Sequence, residues 1–126
     1  MSALEVFIFN NVSDRPSFDD ALIGVVPEYV SSVGHLMQSI ADALLFPAYF
    51  GRNWNALYDC LRDFHWTDKK NIVLIHNNLP VLANEDLKTY LGILRDAVTD
   101  WKPDEFHKFH VIFNKSAEQA VISALE

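Results

Sequence analysis

Apolar and polar positions follow two rhythms along this chain. Short apolar runs occur at Glu5–Phe9 (EVFIF), Leu22–Val26 (LIGVV), Ile72–Ile75 (IVLI) and Phe109–Phe113 (FHVIF). They are brief and rich in β-branched or aromatic residues, so they predict strands. Elsewhere apolar residues recur at spacings of three and four, the period of a helix with one buried face. Val33, Leu36, Met37, Ile40, Ala41, Leu44 and Leu45 predict a helix over 33–45, with Ser31 or Ser32 as its cap and Pro47 as its stop. Asn53 can cap a second helix over 54–63. Asn84 can cap a third, from Glu85 to about Trp101, with Leu87, Leu91, Leu94, Val98 and Trp101 as its apolar stripe. Ser116 is expected to cap a last helix over 117–125. Turn-rich or polar stretches at 10–17, 46–51, 65–70 and 77–80 connect these elements.

Strands alternating with helices imply right-handed crossovers and a parallel sheet. The predicted class is therefore α/β: a layered fold in which helices pack on a small, mainly parallel sheet. The N-terminal strand could join it as an antiparallel edge. A length of 126 residues suits one domain spanning 1–126.

Composition narrows the function. Half of the residues are hydrophobic, enough for a core without staples. The single cysteine, Cys60, allows no intrachain disulfide and fits a reducing compartment. The N-terminus lacks the basic and long apolar regions of a leader or a span, so a cytoplasmic location and no membrane partner are expected. Seventeen acids against ten bases leave a net charge of −7, which disfavours direct nucleic-acid binding. An acidic surface can steer toward a basic protein, although on charge alone plain solubility is the simpler explanation.

On a helical wheel of about 100° per residue, Trp54, Leu57, Cys60, Leu61 and Phe64 share one arc. Asn55, Asp59, Arg62 and Asp63 share the opposite arc, and Tyr58 lies on the border. An aromatic beside a small polar arc is the composition of a binding hot spot. It is equally the composition of an ordinary amphipathic helix with a wet face.

The stretch Phe46–Leu61 (FPAYFGRNWNALYDCL) resembles the signature of the barstar family. Pro47, Tyr49, Phe50, Gly51, Asn53, Ala56, Leu57, Asp59, Cys60 and Leu61 fit that signature in register without a gap. Leu94-Arg95-Asp96-Ala97 is similar to a second family motif. The element order agrees from about Val25 to Phe113, which leaves the N-terminal strand and the C-terminal helix as additions to the core. The resemblance implies a protein inhibitor that plugs a ribonuclease active site, with no catalysis and no cofactor of its own. By position, Asp59 would enter the phosphate pocket as a surrogate phosphate, and Tyr49 would cover the catalytic histidine. Asp96 would meet an interface arginine, and Asn53 would hold the start of the helix. Gly51, Asn55, Tyr58, Arg62 and Asp63 complete the expected partner-facing set.

Some positions depart from the family pattern. Asn55 stands where an acid is usual, and Tyr58 where a tryptophan is usual. Arg62 puts a cation near a face meant for a basic nuclease, so either it points to the rim or the partner offers an acid there. Two rivals follow: a module of the same fold for a non-nuclease partner, and a small hydrolase using Asp59. Metal binding by His107 and His110 is not expected, because residues three apart on a strand face opposite ways. Cys60 paired with His65 as a thiol nucleophile is likewise unexpected, since Cys60 falls on the buried arc.

Overall fold

A computed structural model describes residues 3–11 and 16–126, with side chains from Glu5 onward. In chain order the elements are α1 (Ala3–Val6), β1 (Ile8–Phe9), β2 (Ala21–Val26), α2 (Val33–Ala43), α3 (Trp54–Leu61), β3 (Asn71–His76), α4 (Asn84–Asp100), β4 (Lys108–Phe113), a 3-10 turn (Lys115–Ala117) and α5 (Glu118–Leu125). The strands form one sheet in the order β1-β4-β3-β2, and every pairing is parallel. The α/β class and the parallel sheet packed with helices are as the pattern predicts.

Alternation across the pleat builds two apolar layers. Val26, Ile72, Leu74, Phe109, Val111 and Phe113 face one way and merge with the buried residues of α2, α3, α4 and α5 into the main core. Val73, Ile75 and Ile112 face the other way, against Ile8, Phe18 and Ala21. Phe18 lies over His110, ring centroids 4.3 Å apart. Burial, reinforced by Lys108, holds the His110 pKa below its ordinary value. His107 turns the opposite way and bonds the Lys69 carbonyl through Nδ1 at 2.7 Å.

Several local expectations change. The run 5–9 is a helical turn followed by a two-residue strand. A continuous strand would send the adjacent Val6 and Phe7 to opposite faces, whereas the turn buries both in the main core. β1 pairs parallel with β4, so it is not an antiparallel edge. Asn84 is the first residue of α4 and not its cap; Ala83 holds that position without a side-chain bond. Ser116 lies inside the 3-10 turn, and α5 also starts without a side-chain cap. Both helices are held by tertiary packing of their buried faces without a side-chain cap. Ser32 does cap α2, accepting from the His35 backbone N–H at 3.1 Å.

Two junctions set up the site. α2 packs so closely on β2 that a Cβ on Gly24 would lie 2.8 Å from the Ala43 carbonyl oxygen. Gly24→Ala should therefore cost about 1–3 kcal/mol through forced displacement, read in a urea melt; unchanged stability would mean that α2 moves freely. After α2, Leu45 takes the left-handed conformation (φ 60°). The Phe46 N–H then reaches back to the Ala41 carbonyl at 2.9 Å, which closes the helix end. This turn drops Phe46 against Phe50 and Trp66 and fixes where the next loop begins.

Candidate functional site

The loop before α3 divides its aromatic pair between core and solvent. Phe50 is buried against Phe46, ring centroids 5.0 Å apart, and its N–H closes a turn on the Pro47 carbonyl. Tyr49, next to it, is 65% exposed. One ring anchors the loop while its neighbour is displayed. Gly51 needs no left-handed backbone; Arg52 takes that conformation instead (φ 55°). Asn53 accepts the Ala56 N–H at 2.8 Å through its side-chain oxygen, and its amide donates to the Gly51 carbonyl at 3.5 Å. The cap thus ties α3 to the loop that precedes it.

α3 buries Leu57, Cys60 and Leu61 and leaves Asn55 and Asp59 exposed, as the wheel predicts. Phe64 is fully buried beyond the helix end, in a left-handed conformation (φ 54°) held by rings around it. The Cys60 thiol is pushed up to about 11, by burial first and then by Asp63 and Asp59. It therefore stays protonated and unreactive near neutral pH.

Long-range contacts of Tyr58, Leu61 and Arg62 pin α3 to the end of α4 and the turn after it. The Tyr58 hydroxyl donates to the Asp100 carboxylate, and that bond is the main cause of its raised pKa. The Trp101 indole N–H donates to the Leu61 carbonyl at 2.8 Å. The Arg62 guanidinium lies 4.2 Å over the Trp101 ring and reaches Glu105 at 3.4 Å. Glu105 also accepts the Lys102 N–H at 2.7 Å, which with Arg62 lowers its pKa. A helix held this way presents its polar side chains from a backbone with little freedom left to lose.

Between α3 and α4 runs a groove lined by Trp54, Asn55, Tyr58, Asp59, Ile93 and Asp96. The predicted residues Asn55, Tyr58, Asp59 and Asp96 thus meet on one surface. Its carboxylates lie beside apolar side chains, suited to a cationic group with an apolar stem. Asp96, which is exposed, is contacted by its half-buried neighbour Arg95 at 3.3 Å. Tyr49 and Asp63 belong to a second patch with His65. The His65 Nδ1 lies 2.9 Å from the Asp63 carboxylate, and the Tyr49 and His65 rings are parallel. Arg62 does not line the groove; it is occupied by Glu105 and Trp101. Sequence reasoning passed over Trp54, Ile93 and His65 as site residues. Trp54 reads as core, Ile93 falls outside the apolar stripe assigned to its helix, and His65 sits in a polar loop with no periodicity to place it.

A family model described as barstar, the barnase inhibitor, matches residues 26–114, well over half of the chain. The chain belongs to the barstar family. No curated protein matches it significantly. The barstar match contains the loop at Tyr49, all of α3, and Asp96 on α4, so the groove lies wholly within it. α1, β1 and α5 lie outside it. Among the described residues, no group of three His, Cys, Asp or Glu side chains is placed to hold a metal ion, and no helix is long and apolar enough to cross a membrane.

Arg62, the cation that departs from the barstar pattern, carries a direct prediction. Arg62→Thr removes a stacked, mostly covered guanidinium and leaves Glu105 without it. Stability should fall by about 1–2 kcal/mol, measured by denaturant unfolding. A variant as stable as the parent would show that the Trp101 and Glu105 contacts contribute nothing.

Proposed function

We propose that this protein inhibits a basic nuclease of the ribonuclease type by docking α3 and the preceding loop into its active site. It acts as a binding protein and not as an enzyme, with no cofactor, and it does so in the cytoplasm. The observation that carries the reading is the placement of Asp59. It projects from a pinned helix into a groove shared with Asp96, within the stretch matched to the barnase inhibitor family. An exposed, pre-positioned carboxylate can take the place of a substrate phosphate among a nuclease's cationic donors. The same acidity keeps the protein away from nucleic acid itself. Arg62 is neutralised within its own chain, so it requires no acid on the partner.

The test is titration of the purified protein into a barnase-type ribonuclease while RNA cleavage is followed. Cleavage should fall to background near equimolar protein. Full activity at a tenfold excess would remove the ribonuclease from the reading. Asn55, which replaces a usual acid, favours as second reading a module of this fold for a partner other than a ribonuclease.

A further inference from the structure

His65 lies just beyond α3, and its ring is contacted on several sides. Asp63 accepts the His65 backbone N–H at 3.2 Å through one oxygen and meets Nδ1 at 2.9 Å through the other. The Tyr49 ring lies parallel to the imidazole, 1° between planes and 6.4 Å between centroids. Trp66 contacts it edge-on at 5.3 Å. Even so, the His65 side chain is 59% exposed. A carboxylate at Nδ1 keeps the proton of the neutral ring on that nitrogen. Nε2 is then an acceptor, and it bonds nothing among the described residues.

We propose that His65 determines specificity at the docking surface: Asp63 orients it, and Nε2 accepts a hydrogen bond from an N–H or O–H group of the nuclease. The inference rests on Tyr49 and Asp59 being partner contacts. The groups facing the ring are the Asp63 carboxylate, the Tyr49 phenol and, uncharged, Trp66. Cys60 adjoins this patch. The phenol is raised and the thiol is pushed up to about 11, so both stay neutral near and below neutrality.

Binding to barnase would be measured at neutral pH for the parent, His65→Ala, His65→Gln and Asp59→Ala, with circular dichroism to verify folding. His65→Ala should bind about five- to tenfold more weakly, the worth of one hydrogen bond. His65→Gln, whose amide oxygen can accept from the same donor, should stay within about threefold. A His65→Ala affinity equal to the parent's, or equal losses in both His65 variants, would overturn the proposal. If Asp59→Ala abolishes binding while His65→Ala binds as the parent does, the inhibitor reading stands and only the role of His65 falls. If the parent does not bind barnase, both fall.

Discussion

Asp59→Ala should weaken binding to a barnase-type ribonuclease by about 30-fold to several thousand-fold, more than any other single truncation on this surface. Asp59 is exposed in the free protein and makes no ion pair among the described residues. Its removal should therefore leave folding unchanged, which a parallel melt confirms. In the complex the carboxylate would be desolvated against cations, and its loss would leave those cations buried without a partner. Such losses amount to about 2–5 kcal/mol, which is the stated range of affinity. That scale comes partly from charge pairs in the barnase–barstar complex itself, and it applies to this chain only by family. Asp96→Ala should lose less, because Arg95 already contacts that carboxylate in the free protein. Calorimetric titration of both variants decides the point. A Kd for Asp59→Ala within tenfold of the parent would remove α3 from the centre of the interface.

The second large effect concerns stability in acid. His76, at the end of β3, is fully enclosed. Its Nδ1–H donates to the Ile112 carbonyl at 3.2 Å, and its Nε2 accepts from the buried Tyr90 hydroxyl at 2.6 Å. Both bonds suit a neutral ring. Burial pulls the pKa down to about 4 from an ordinary 6.5, and the bond to Ile112 offsets this only in part. The unfolded chain therefore takes up a proton near pH 6.5 that the folded chain refuses until about pH 4. The stabilisation is complete above the higher value and is lost as pH falls through the window, a change of about 3 kcal/mol. His110, also depressed, adds to the loss with the same sign. Urea unfolding from pH 7.5 to 4.5 should show this decline. His76→Phe should be less stable at neutral pH, because the Tyr90 hydroxyl loses its acceptor. Its stability should nevertheless vary less with pH, by one proton. Parallel pH profiles for parent and variant would mean that His76 titrates freely in the folded protein.

α3 was legible in the sequence because local rules decide it. Asn53 precedes a helix-period stretch, and the cap bond to Ala56 spans three residues. The buried arc of Leu57, Cys60 and Leu61 follows from the pitch of the helix, so the outward placement of Asn55 and Asp59 follows as well. Short β-branched runs bounded by turns likewise marked β2, β3 and β4. The motif around Asp59 carries the family signature in consecutive residues, so it too is local.

Other features depend on residues far apart in the chain. Arg62 reads as a free cation on a binding arc until Glu105, 43 residues later, folds back onto it. Asp96 joins Asp59 only because α4 lies along α3. The parallel direction of β1 is set by its partner β4, about a hundred residues on, and the helical turn before it lets Val6 and Phe7 share one core. Which ring of the Tyr49–Phe50 pair turns inward is decided by the space left beside Phe46 and Trp66. Periodicity and caps report interactions within one or two turns of chain. Ion pairing, groove formation and strand direction are decided by whichever surfaces the packed layers bring together, and that selection belongs to the whole fold.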